Sequence, residues 1–224
     1  MRTAAGVVNE LGEAGHDIGQ LLFAAMDSCL KTVEGVSDST WGNIAIGVWS
    51  TRDVVNHVTY EALWATELFQ GATILDVGDR FEGDVVGDDP KRAFEDSVAA
   101  AKTVISQPGA VDRTTNLSVG PTPGSEYAMQ LFQDFLIHGW DIATGSGQDK
   151  TLDARLVGAC LPQAELTRKL VAEGGAFGNN IDVPADADAQ TRLLGLLGRT
   201  VSSDSQPPRE RTVLRRWAGI LRRS

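Results

Sequence analysis

Four long stretches of this chain repeat apolar residues at helical spacing, and each is bounded by capping residues, glycine or proline. That pattern constrains the fold more than any other feature. Residues 16–35 place Ile18, Leu21, Leu22, Ala25, Cys29 and Val33 on one face and end near Gly35. A second helix is predicted from Ser50 or Thr51, with Asp53 favouring its positive end, through VVNHVTYEALWATELF to Gly71. Asp89 and Pro90 open a third, which runs to Gln107 before Pro108-Gly109. Ser125 is the expected cap of a fourth, SEYAMQLFQDFLIHGWDIATG, closed by Gly145 or Gly147. A fifth helix is expected over 153–173 with a kink near Pro162, and a short one after Asp188. Residues 36–50 read as a loop. Residues 111–119 read as a short strand or extended crossing, with Pro121-Thr122-Pro123-Gly124 breaking the chain. Strand content this small excludes a sheet-based fold. The expectation is an all-α protein, an up-down bundle of four main helices with one crossover, extra C-terminal helices and at most a short strand segment.

With 224 residues, 42% hydrophobic and 22% charged, the chain is long enough for a hydrophobic core to hold it without crosslinks. It has no apolar run of the ~20 residues that a membrane helix needs, and its N-terminal stretch meets acidic and glycine residues too early for a signal-peptide core. A cytoplasmic protein without integral membrane association is expected. The net charge is −10, yet residues 207–224 hold six arginines and one glutamate, +5, which leaves −15 on the remainder. So acidic a body repels nucleic-acid phosphates, so nucleic acid is excluded as a partner. The organisation read from these shifts is a helical body over 1–201, a Ser/Pro linker over 202–208 and a basic amphipathic tail over 209–224. In the tail Val213, Leu214, Trp217, Ile220 and Leu221 recur between arginines. Docking of that tail on the acidic body is favoured over a membrane surface.

Cys29 and Cys160 are 131 residues apart, with no CxxC pair, so they read as small buried hydrophobes. Any metal would be held by nitrogen and oxygen. Of three histidines, His16 has no helical carboxylate partner and reads as exposed. His57 and Glu61 are an i,i+4 pair on the second helix, while Asp134, His138 and Asp141 share a stripe of the fourth with Leu131, Phe135 and Ile142. Burying carboxylates and imidazoles on an apolar face is costly unless they are paired or bind a metal. His57, Asp134 and His138 would supply two nitrogens and one oxygen, with Glu61 and Asp141 as catalytic supports that orient the imidazoles or move protons. From spacing alone, satisfied core histidines remain the competing interpretation. Trp41, Trp49, Trp64 and Trp140 read as core, and Gly174-Gly175-Ala176-Phe177-Gly178 follows a helix and is not a phosphate loop.

WSTRDVVNHVTYEALW, GDRFEGDVVGDDP, LIHGWDIATGSGQD and VPADADAQTRLLGLLGR, in this order over roughly residues 20–200, resemble the actinobacterial DinB-like proteins related to the N-terminal domain of mycothiol-dependent maleylpyruvate isomerase. The resemblance implies a DinB-type four-helix bundle that binds a divalent metal through His57, Asp134 and His138. The usual pattern has three histidines; the isomerase branch carries a carboxylate at the middle ligand, where Asp134 stands. Two nitrogens and one oxygen suit zinc, nickel, iron and manganese alike, zinc being the expectation. Relatives use thiol cofactors such as mycothiol, which implies a metal-dependent transferase or isomerase acting on a small electrophilic substrate. The alternative is a metal-binding protein with non-thiol chemistry (a hydrolase or cyclase) or a non-catalytic sensor module. Two departures stand out: Ala45-Ile46 replace a Pro-Cys motif found in relatives, and the Arg-rich tail lies outside the family pattern. A homodimer is the assembly to test.

Overall fold

The computed structural model describes residues 3–173, 181, 183–184 and 186–200. The linker, the basic tail and the Gly174–Gly178 segment lie outside these residues. Eight helices and two two-stranded hairpins are formed among those described: α1 (Ala4–Glu13), α2 (Ile18–Glu34), β1 (Ile44–Ile46), β2 (Trp49–Ser50), α3 (Thr51–Phe69), α4 (Ile74–Val77), α5 (Pro90–Ile105), β3 (Thr114–Leu117), β4 (Gly120–Pro123), α6 (Gly124–Ser146), α7 (Ala154–Glu173) and α8 (Ala189–Leu196). The all-α expectation holds.

The bundle is made of α2, α3, α5 and α6, each packed against two of the others: α2 on α6, α6 on α3, α3 on α5 and α5 on α2. Contacts along these seams give the directions. Gly139 lies against Cys29 and the Gln148 amide donates to the Thr32 carbonyl, so α2 and α6 run parallel. Lys102 reaches Asp27 and Lys91 reaches the Glu34 carbonyl, so α5 opposes α2. His57 meets Asp134 while Phe69 stacks on Tyr127, so α3 opposes α6. The crossover is therefore the connection from α3 to α5, residues 70–89. It is tied to α3 where Arg52 donates to Asp84 and the Gly87 carbonyl, and where Asn56 bonds both Gly83 and Val85.

Helix starts follow local chemistry. Ser50 and Asp53 close a capping box on α3, Asp89 caps α5 with Pro90 in the first turn, and Asp188 caps α8. α6 is apolar on almost every side and is correspondingly buried among its neighbours, with Phe132, Phe135, Leu131 and Ile142 fully enclosed. Phe94 of α5 stacks on Phe135 at the centre of the bundle.

Several expectations are corrected. Ser125 does not cap α6; the helix begins at Gly124 after Pro123, with no side-chain cap. Pro121-Thr122-Pro123 is strand β4, because in a two-stranded ribbon every strand is an edge and alternate prolines need not donate to the ladder. The 36–50 loop contains hairpin β1–β2. α1 and α4 were not foreseen. α1 contains two glycines and buries little beyond Val7 and Leu11, so its helicity depends on packing against α6 and α7. His16 is half-buried instead of exposed. Trp64 and Trp140 are core, whereas Trp41 and Trp49 are only partly buried at its edge. Both cysteines are free and buried, as expected.

Gly147, at φ 71°, ends α6 in the left-handed conformation. Gly145 is required for a different reason: a Cβ there would overlap the Thr51 hydroxyl and come within 2.9–3.0 Å of Ala45, whose backbone cannot yield. Gly145→Ala should therefore destabilise the fold by roughly 1–3 kcal/mol in chemical denaturation. An unchanged midpoint would show that the hairpin's approach to α6 is not close.

Candidate metal centre

The capping box at Ser50 fixes where α3 begins and thereby places His57 two turns inside it, facing α6. Trp49, just before the cap, sets its indole edge-on to the His57 ring, with centroids 5.4 Å apart. From α6, Asp134 and His138 project one turn apart toward the same point. His57 Nε2 is 3.0 Å from Asp134 Oδ2, and His138 Nε2 is 3.4 Å from Asp134 Oδ1. The two imidazoles meet edge to face at 4.8 Å. One donor atom from each of the three residues lies within 4.8 Å of the others. Both histidines are buried, and Asp134 retains 15% side-chain exposure, the widest opening to solvent of the three.

The next tier of contacts is asymmetric. Asp141 is fully buried and its Oδ2 accepts from His138 Nδ1 at 2.9 Å, which leaves Nε2 directed at the triad. Arg199, beyond α8, donates to both Asp141 oxygens at 3.2 and 2.6 Å. Glu61 is buried beside the triad, but among the described residues no hydrogen bond joins it to His57. The i,i+4 spacing brought the pair onto one face, while His57 turns its Nε2 across the seam to Asp134. Of the two supporting carboxylates, each one turn from a histidine, Asp141 bonds its imidazole and, among the described residues, Glu61 does not.

Electrostatics separate the four carboxyl and imidazole groups. Burial would raise the Asp134 carboxyl, but His138 and His57 overcome it and hold the group well below the usual carboxylate range. Burial would lower His138, and Asp134 outweighs it, pushing the imidazole up to about 9. Asp141 is depressed in spite of burial, chiefly by Arg199 and then by His138. Glu61 goes the other way: burial, reinforced by the Asp134 charge and opposed by His138, raises it well above the ordinary range, so its carboxyl favours the protonated form. Burial also raises Tyr127, with the Glu61 charge next; among the described residues its hydroxyl has no hydrogen-bond partner.

Two imidazole nitrogens and a carboxylate oxygen that converge on one point fit a divalent ion once the His138 proton is released. Sequence reasoning missed three neighbours. Trp49 and Tyr127 look like any core aromatics, and Arg199 stands 58 residues from Asp141 with no periodicity to link them.

The profile of the mycothiol maleylpyruvate isomerase N-terminal domain matches residues 22–143, more than half of the chain and the span that carries all three triad residues. The chain belongs to this family. Two uncharacterized proteins of Mycobacterium tuberculosis, Rv0738 (strain H37Rv) and MT0763 (strain CDC 1551 / Oshkosh), are each 27% identical to it over 195 residues, covering 83% of this chain and 96% of theirs. No solved structure matches significantly. No helix among the described residues is long and apolar enough to cross a membrane.

Because an ion must displace the His138 proton, its apparent affinity should rise about tenfold per pH unit up to about pH 9 and level off above it. Chelator competition across pH 6–9 measures this, and a flat profile would contradict the arrangement.

Proposed function

We propose that the protein is a divalent-metal-dependent enzyme of the mycothiol-dependent transferase or isomerase type, acting on a small electrophilic substrate. The observation that carries the proposal is the convergence of His57, Asp134 and His138 in the α3–α6 seam of a family whose name joins mycothiol to isomerisation. These three residues would hold the ion, with zinc proposed ahead of nickel, iron or manganese. When bound, the ion supplies Lewis acidity, polarising a carbonyl and lowering the pKa of a coordinated thiol.

The chain's own residues support an external thiol. Burial pushes the Cys29 thiol up, as do the charges of Asp134 and Asp141, and burial alone pushes up Cys160. Neither can serve as a thiolate nucleophile. Glu61, with its raised carboxyl, is proposed as the group that holds a proton at its carboxyl oxygen and exchanges it with the reacting atoms. Asp141 keeps the His138 ring in register. The Tyr127 hydroxyl, which has no hydrogen-bond partner among the described residues, is proposed as a donor to substrate. Two free buried thiols accord with a reducing cytoplasm.

Elemental analysis of the purified protein should find one divalent ion per chain, and His57→Ala/His138→Ala should lose it. Full occupancy in that double variant would sink the triad. With metal and mycothiol, the protein should accelerate conjugation of a bimane or isomerisation of a maleyl compound. Metal uptake without mycothiol binding in millimolar calorimetry would point instead to hydrolytic or non-catalytic use of the site. Glu61→Gln should retain the ion while slowing turnover about 10²–10⁴-fold. A rate equal to that of the unaltered protein would remove Glu61 from the proton path.

A further inference from the structure

Arg199 reaches the metal centre from outside the segment that defines the family. α8 ends in a turn at Gly198, φ 79°, where the Arg199 N–H bonds the Leu194 carbonyl at 2.8 Å. This turn sends the guanidinium inward. It is 8% exposed, is pinned by a 2.7 Å bond to the Leu197 carbonyl, and spans both oxygens of Asp141. The same helix end buries Leu194 against Ile137 and Trp140, the residues immediately before His138 and Asp141. Gln190 fixes the start of α8 by bonding the Leu152 N–H and the Lys150 carbonyl. One segment thus grips α6 through an apolar contact and a buried fork at the point where the centre's second histidine is held.

We propose that Arg199 is a positioning residue of the metal centre: acting through Asp141, it fixes the His138 ring with Nε2 toward Asp134 and His57, so that docking of α8 on α6 sets the centre's affinity for its ion. This rests on the metal-binding reading above. The physics is that of a bidentate guanidinium–carboxylate pair, which restrains the carboxylate in plane and in distance where a single hydrogen bond to His138 leaves it free to swing. Groups that orient a ligating histidine typically govern 10–100-fold of metal affinity. The residue lies 56 positions beyond the family match, so the centre is completed by a part of the chain that the family definition omits.

Zinc affinity of the full chain, measured by competition with a chromophoric chelator, tests this in a cycle of the unaltered protein, Arg199→Ala, Asp141→Asn and the double variant. Arg199→Ala should weaken zinc binding about 10–100-fold. Arg199→Lys, which keeps the charge but not the fork, should recover only part of the loss. In the Asp141→Asn background, removing Arg199 should cost little more. Zinc binding by Arg199→Ala equal to that of the unaltered protein, or losses that simply add in the double variant, would overturn the proposal. Should Arg199→Ala not fold, Arg199→Lys decides, since affinity equal to the unaltered protein would count against the fork. A second readout needs no metal. In ¹⁵N-histidine-labelled, metal-free protein, the His138 Nδ1 proton should exchange slowly, and quickly once Arg199 is replaced by lysine or alanine. Failure of the unaltered protein to take up zinc would overturn the metal reading, while this proton would still judge the role of Arg199.

Discussion

Asp134 lies between two imidazoles on the inner face of α6, and the rest of the site is arranged around the cost of that placement. A carboxylate withdrawn from water is tolerated only when its charge is met closely, and here His57 and His138 meet one oxygen each. The compensation then has to be continued outward. His138 needs an acceptor on its far nitrogen and finds Asp141, which in turn is a fully buried charge and needs Arg199. Signs alternate from Asp134 to His138 to Asp141, and each of these three is held in its charged form by its neighbours. The arrangement offers an ion three converging donors while the protein without one keeps them paired by protons.

The bundle is built to keep that geometry rigid. α6 is buried nearly all round, so its side chains cannot reorient without disturbing α2, α3 and α7. The capping box that starts α3 and the tight approach of hairpin β1–β2 to Gly145 set the height of His57 relative to α6. The long crossover between α3 and α5 is stitched to Arg52 and Asn56, the latter adjacent to His57 in sequence. A bundle whose site faces are this constrained can hold an ion in a fixed donor set. Asp134 and Trp49 are nearer to solvent than the two histidines.

Much of this was legible in the sequence because helices announce themselves locally. The period of apolar residues located α2, α3, α5 and α6. Spacing put Asp134, His138 and Asp141 on one stripe and offered His57 as a third donor, and the resemblance favoured that set over satisfied core histidines. What the sequence left open depends on contacts between distant segments. The Arg199–Asp141 pair spans 58 residues and has no pattern to betray it. Glu61 illustrates the opposite failure: spacing correctly put it on the face of His57, yet the rotation of the imidazole toward Asp134 decided which carboxylate it would bond. β4 was hidden by its prolines, which a central strand would exclude and a lone ribbon accepts.

X-ray absorption at the metal edge of the protein isolated with its ion probes the central claim most directly, because it reads the donor atoms themselves. With zinc and no added thiol, the account predicts one ion per chain bound by nitrogen and oxygen at about 2.0–2.2 Å, with the multiple-scattering signature of two imidazoles and no sulfur at about 2.3 Å. A spectrum with sulfur ligands, with a single imidazole, or of an ion surrounded by water alone would contradict it.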